Sequence, residues 1–419
     1  MSGFSKRERA IARFFSQFPQ LKKAIKKIYQ YSNFLLYRKG YTFRAEGQLY
    51  KLPIPEGETF FGYYDKSPLS LDSRYLLFHH TIFPTVNLPS AANPIAVCVW
   101  DLKEGKLIYR AATRAYNWQQ GTKLQWLTNR KFIYNNYSEK LGYHSIKVEL
   151  LAQKAEESII SYPIYDCFGE EYGLSLSFER LQKLRPDYGY RNHNVNDDLP
   201  GYSEDGIFYV DLKTGNIYLL LSLKEIINFN GTYIPDSADH KVNHIMISPD
   251  GQHFMFLHRY FINRQRFDRL MVSDIHGKHL RVLADDEMVS HCYWINNSEI
   301  ISYLRDFKTG DKYYRLDIRT NQKTIVGEGV IDQFGDGHPS VNQNSIIFDT
   351  YPNKARMKEL YTYQMDEHKL VRLGEFFENM NYYGETRCDL HPRFSFDGKT
   401  IFIDSVHEGK RHLYWLKIQ

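Results

Sequence analysis

One short pattern recurs through this chain at intervals near fifty residues, and it leaves few folds open. HIMISPDG from His244, HCYWINNS from His291, HPSVNQNS from His338 and HPRFSFDG from His391 each run from a histidine through an apolar alternation into a polar tight turn. Alternation marks a strand, and a turn followed by a second β-rich run marks a hairpin. The frame extends backward to SPLSLDSR, with Lys66 in the histidine's place, and to LQWLTNRK, with Lys123 there. A weaker copy, LSLSFERL, puts Gly173 at that position, which brings the count to seven. Repeats of this length and content are those of four-stranded propeller blades.

Length and composition agree. A chain of 419 residues can be a single all-β repeat domain, and 33 Tyr with 27 Phe is the aromatic enrichment of a strand-rich protein. Asp250-Gly251 and Asp397-Gly398 supply hairpin turns. After residue 49 only residues 177–184 and 223–227 have helical character. The expected fold is therefore an all-β, seven-bladed β-propeller over residues 46–419. The last copy is short of strands, so an early strand at residues 49–54 is expected to complete that blade and close the ring, removing the exposed edge.

Residues 1–45 read as a separate basic amphipathic helical arm. The first forty residues hold ten Lys or Arg against one acid, Glu8, so these forty carry +9 and the remainder of the chain −4. Phe14, Phe15, Phe18, Leu21, Ile25, Ile28 and Leu35 interleave with Lys22, Lys23, Lys26 and Lys27, and Pro19 is expected to divide the segment into two helices. Such an arm can lie on an anionic membrane surface or pack on the propeller or a protein partner. No apolar run is long enough to span a bilayer. Nucleic acid is excluded as a partner, because the basic residues stop at the arm and no recognition motif accompanies them. Cys98, Cys167, Cys292 and Cys388 have no paired spacing, and the N-terminus lacks a secretory h-region. A cytoplasmic protein, peripheral on the inner membrane face where the arm binds lipid, is the expectation.

Equivalent positions at the start of each blade's innermost strand form a ring around one mouth of a propeller channel. In this register four consecutive blades deliver imidazoles and two others deliver Lys66 and Lys123. Three histidines can hold a transition metal with a coordination position open. His291, His338 and His391 are adjacent around the closed ring and form the expected metal triad, with Mn or Zn as the divalent ion. His244, one blade away, is left as a general base. Asp336 and Asp389 each precede a ring histidine by two residues and can orient imidazoles or shape turns. Period-2 alternation turns Cys292 away from the channel.

The order HIMISPDG, FLHR, SHCYW, DGHPS with IIFDTYP, and DLHPRFSFDGK resembles the oligogalacturonate lyases and related propeller polysaccharide lyases. The resemblance is scattered over residues 60–419 and clearest after residue 240. It implies a metal held by histidines and a glutamine, a uronate carboxylate neutralised by that metal, and a histidine removing the C5 proton for β-elimination. By this resemblance His244 is the base and His291, His338 and His391 are ligands, while Arg259 in FLHR assists. Gly335 and Cys388 stand where that family has glutamine. FGYYDKSP, with Tyr63, Tyr64, Asp65 and Lys66, and the pair His79-His80 are closer to the propeller ulvan lyases.

Tyr63, Tyr64 or Lys66 can protonate the leaving oxygen. Lys66, Lys123 and Arg259 attract an acidic oligo- or polysaccharide. Tyr63, His80, Lys123 and His258 are the expected substrate contacts, and Tyr260, Tyr351 and Tyr382 offer rings for stacking on sugars. Two other readings stay open. One is a carbohydrate-active or glycan-binding protein of cell-surface (capsule) polysaccharide assembly, acting at the membrane without elimination. The other is an interaction scaffold, with residues 192–202 as a partner loop or a lid over the channel.

Overall fold

The recurring turn is closed by its own side chains. Ser70, Ser248 and Ser395 donate their hydroxyls to Asp72, Asp250 and Asp397 at 2.6, 2.6 and 2.5 Å. The same hydroxyls accept the backbone N–H of Tyr75, His253 and Thr400 at 2.9, 3.0 and 2.9 Å. A serine two residues before an aspartate thus pins a tight turn without help from the rest of the fold. Gly251 and Gly398 follow at φ of 70° and 71°, where a Cβ would be strained.

These turns join the first and second strands of antiparallel blades in a computed structural model that describes residues 19–194, 198–231, 234–235, 237–263 and 265–418. The strands group into seven sheets, a seven-bladed β-propeller. Blade 1 begins with Glu58–Phe60, blade 2 with Gln125–Trp126, blade 3 with Asp166–Phe168 and blade 4 with Asp239–Ile247. Blades 5, 6 and 7 begin with Val289–Trp294, Ser340–Asn342 and Arg393–Phe394. The strand Leu49–Lys51 pairs with His412–Lys417 and completes blade 7, with Leu49 opposite Leu416. The strand Phe43–Ala45, inside the segment expected to be arm, adds a fifth strand to blade 6 by pairing with Lys369–Phe377.

One register needs correction. Gly173 lies on the second strand of blade 3, Tyr172–Ser175. The residue two before that blade's inner strand, as His338 and His391 are before theirs, is Ile164. The pattern misled because residues 176–205, inserted between the second and third strands, carry LSLSFERL into a helix. That helix, α2 (Phe178–Leu184), is capped by Ser177, whose side chain accepts the Arg180 N–H. A third helix, α3 (Leu223–Asn228), has a full capping box from Ser222 and Glu225. The first helix, α1 (Pro19–Tyr37), starts at Pro19, a position that suits proline because its missing N–H would be unpaired there in any case. A helix expected before Pro19 lies outside the described residues.

Blades are joined by apolar clusters and by polar clasps from the end of one blade's strand to the start of the next. The Asn135 side chain accepts the Ile164 N–H at 2.7 Å, and Asp166 accepts that of Ile247 at 2.8 Å. Asp404 of blade 7 accepts the N–H groups of Phe61 and Gly62 in blade 1, at 3.0 and 2.9 Å, across the closure. Buried backbone donors at the channel end of each blade are satisfied in this way.

Candidate functional site

The inner strands open at the channel mouth, and backbone conformation turns the ring residues inward. Lys123, His244 and His391 adopt left-handed backbone at φ of 54°, 53° and 45°, a conformation that costs a non-glycine residue about 1–2 kcal/mol. The cost is offset by fixed partners: the His244 N–H donates to Tyr165 Oη at 3.1 Å, and the His391 N–H to Asp349 Oδ2 at 3.2 Å. In blades 4 and 5 a bulge frees the ring residue from the ladder, between Asn243 and Met246 and between Val289 and Cys292.

The result is a file of buried imidazoles. Ring centroids lie 4.1 Å apart for His291 and His338, 4.4 Å for His338 and His391, and 6.4 Å for His244 and His291. Each of the last three blades fixes its Nδ1. His291 Nδ1 donates to Asp336 at 3.0 Å, His338 Nδ1 to Asp349 at 2.8 Å, and His391 Nδ1 to the carbonyl of Gly62 at 2.9 Å. Asp336 is held in turn by the Ser290 hydroxyl at 2.5 Å. Such partners set the tautomer and leave Nε2 as the lone-pair donor.

The Nε2 atoms of His338 and His391 are buried without a hydrogen-bond partner, a costly state unless something else binds them. Ligand atoms of His338, Asp389 and His391 lie within 4.8 Å of one another. Two imidazoles and a carboxylate are a fitting donor set for a divalent transition metal, and His291 stands beside them. Asp389 therefore sits among the candidate ligands, whereas Asp336 is an orienting acceptor. Asp389 also meets Lys358 Nζ at 3.2 Å and Arg387 Nε at 2.7 Å; these cations overcome burial and hold its carboxyl well below the usual range. Cys292 and Cys388 are not thiolates, because burial pushes each up to about 12.

The tyrosine pair of FGYYDK enters this group. Tyr63 Oη shares a 2.9 Å hydrogen bond with His244 Nδ1, and its ring lies 5.0 Å from that of His391. The Tyr64 ring packs 5.5 Å from His338, but its hydroxyl donates to the Cys292 carbonyl at 3.0 Å and accepts the Cys292 N–H. Lys66 is ion-paired with Asp166 at 2.6 Å, which with Asp65 raises its pKa against the effect of burial. Lys123 pairs with Asp65 at 3.1 Å beneath the Tyr165 ring. His244 is held neutral first by burial, then by Arg259, His291 and Arg185.

Other expected contacts stand elsewhere. His80 Nε2 lies 2.9 Å from the Glu56 carbonyl, and His258 stacks on His240 with a 3.0 Å bond between their rings. Tyr260 stacks on Phe267, and Tyr382 is packed with Cys388 and Val406. Tyr351 does border the site, its ring 5.9 Å from that of His338.

The fold is that of oligogalacturonate lyases. An oligogalacturonate lyase in complex with manganese superposes with a TM-score of 0.60 at 16% identity, over 91% of this chain and 95% of the other. A second, from Vibrio parahaemolyticus, gives 0.58 at 14% identity, over 90% and 96%. No family model matches the sequence, and no curated protein does.

Three parts of the site escaped sequence reasoning. Asp349 accepts from both the backbone and the ring of His338 as well as from the His391 backbone. Its signal was the repeated IIFD and IFID at the ends of successive second strands. Tyr188, from the blade 3 insertion, places its ring 5.2 Å from His244 and 6.0 Å from Tyr63. Arg185 and Arg387 both bind Asp187 at 2.8 Å beside it. Among the described residues the segment facing the imidazoles is 185–188; of the 192–202 stretch expected as a lid, residues 195–197 lie outside the described residues. Third is Lys241, 1% exposed, with its Nζ 3.3 Å from the Leu184 carbonyl and no carboxylate at ion-pair distance among the described residues. Burial, then Arg259 and Arg185, pull its pKa well down.

Proposed function

We propose that this protein is a metal-assisted lyase that cleaves uronate-containing oligosaccharides by β-elimination. The observation that carries this reading is the pair of orphaned, buried Nε2 atoms on His338 and His391, set beside Asp389 and His291 with a neutral His244 next in line. His338 and His391 would hold the ion through Nε2, with Asp389 as the carboxylate of the set and His291 beside them. Manganese, the ion named for one lyase of the same fold, and zinc both suit this set. Bound there, the metal supplies a Lewis acid that draws charge from the substrate carboxylate and makes the C5 proton more acidic.

His244 removes that proton. To do so through Nε2 it carries hydrogen on Nδ1, which donates to Tyr63 Oη, and the Tyr63 O–H is then free to face the sugar. The C5–H electrons form the C4=C5 double bond, the C4–O bond breaks, and the leaving oxygen takes its proton from Tyr63. Tyr64 and Lys66 are poorer acids here, since the first is bound to the Cys292 backbone and the second to Asp166. Arg259, 3.0 Å from Asp268, together with Arg266 and Arg185, exceeds the charge of Asp268 and Asp187. That surplus favours an acidic chain.

The test pairs metal analysis with an assay of uronate oligosaccharides, read by the ultraviolet absorbance of the new double bond. The wild-type protein is expected to hold about one equivalent of metal, because the described residues form one such donor set. His338→Ala should lose metal and activity together. His244→Ala should keep metal and lose activity by about 10²–10⁴-fold. A protein that takes up neither Mn nor Zn, or a His244→Ala variant that still eliminates, would refute the proposal.

A further inference from the structure

Helix α1 (Pro19–Tyr37) is mounted the wrong way round for a helix that serves only to pack on the propeller. Its half-buried residues are Gln30, Asn33 and Phe34, with the Phe34 ring 5.6 Å from that of Phe377, and Lys27 and Tyr37 also meet the domain, at the Tyr383 ring and at Lys354. Lys39 and Tyr41, just beyond the helix, both bind Glu375 on the same edge of blade 6. Ile25, Ile28, Tyr29, Leu35 and Leu36 point the other way; at 3.6 residues per turn they fall in a stripe about 120° wide. Ile28 is 66% exposed and Leu36 78%. A soluble helix ordinarily turns such a stripe to the core. No described helix is long and apolar enough to cross a membrane, so the stripe suits a surface.

We propose that α1 seats this protein on an anionic lipid surface, with the apolar stripe among the upper acyl chains and the surrounding cations on the headgroups. Charge selects this occupant. The first forty residues carry ten Lys or Arg and one acid, and the first turn of α1 has no acidic residue. A second copy of the chain would bring two such arms together, each at +9. An anionic bilayer neutralises them instead, and basic amphipathic helices bind there by apolar burial and charge together. Tyr29 and Tyr31, both more than half exposed, are suited to the headgroup level, where an apolar ring with a polar tip is at home.

The experiment is co-sedimentation of the full-length protein with phosphatidylcholine vesicles, with and without phosphatidylglycerol. The wild-type protein should pellet with the phosphatidylglycerol vesicles. Ile28→Glu with Leu36→Glu, both at exposed positions, should lower the bound fraction by roughly tenfold or more. Hydrogen exchange on the unsubstituted protein gives an independent reading: amides of residues 25–37 should slow when the anionic vesicles are added. The proposal is overturned if the wild-type protein stays in solution, or if the double variant binds equally well. It is also overturned if the lipid-free protein is a dimer that the double variant dissociates. Protection of residues 25–37 without lipid that disappears when residues 1–18 are removed would assign the stripe to the chain's own N-terminus and overturn it too.

Discussion

Two carboxylate oxygens of Asp349 receive three N–H groups: the backbone and ring of His338 on Oδ1, and the His391 backbone on Oδ2. All three are donors, so either orientation of an amide would set an NH₂ against an N–H. Asp349→Asn should therefore release either the His338 ring or the His391 backbone, both of candidate ligands, even though the side chain keeps its shape. Loss of such an orienting partner typically costs 10–100-fold in metal affinity, and competition with a chromophoric chelator would measure it. Asp404→Asn is the comparison. It stands at the corresponding place in blade 7 and grips Phe61, Gly62 and Arg393, reaching the imidazole file only through the Gly62 carbonyl that accepts from His391 Nδ1, so it should lower stability and weaken metal binding less than Asp349→Asn does. Equal metal affinity in the Asp349→Asn protein would show that the His338 ring is held by packing alone.

Blades were readable in the chain where local chemistry makes them. The Ser-x-Asp turn needs only neighbours in sequence, so the hairpins at Ser70, Ser248 and Ser395 were legible, and helical character at 177–184 and 223–227 followed from spacing. Partners reached across the channel were not readable. Nothing near Lys66 points to Asp166, or near Tyr64 to the Cys292 backbone, because both contacts depend on how distant blades face each other. The third copy failed for a different reason: its first turn, at residues 169–171, lacks the Ser-x-Asp pair, and LSLSFERL, which runs from the second strand into the insertion, imitates the pattern one strand too late. Closure was legible as a shortage of strands in blade 7, and it gives an element-scale prediction. A chain starting at residue 46 keeps Leu49–Lys51 and the buried Leu52, whereas one starting at residue 55 lacks both. Two leucine contacts at about 1.5–3 kcal/mol each make the shorter chain less stable by about 3–6 kcal/mol. It also exposes the edge of His412–Lys417 to aggregation. Urea unfolding of the two truncations would show the difference; coincident curves would mean that blade 7 closes without its borrowed strand.

Across the whole molecule the most consequential ionisable groups are histidines kept neutral. Burial pulls His79 down to about 3, and His240 and His407 each to about 4, from an ordinary 6.5; all three are at most 2% exposed. In the unfolded chain each takes a proton as pH falls through 6.5, while in the folded protein it does not until pH 3–4. The unfolded state therefore binds more protons in that window, and stability falls with pH. Three such groups give a slope of about 4 kcal/mol per pH unit between roughly pH 5.5 and 4.5. His338 runs the other way, because Asp349 raises it against burial, but one group does not offset three. Domains rarely hold more than about 5–15 kcal/mol in reserve, so acid unfolding is expected above pH 4, before most carboxylates are protonated. Urea midpoints at pH 7, 5.5 and 4.5 test this directly, and a flat profile would contradict it. The attribution can be checked at one residue. His79 Nε2 accepts the Thr122 N–H at 3.2 Å, a contact that the carbonyl oxygen of glutamine can also make. His79→Gln should keep the clasp between blades 1 and 2 and remove one proton from the balance, reducing the slope by about 1.4 kcal/mol per pH unit. An unchanged slope in that variant would mean that His79 already takes its proton in the folded state.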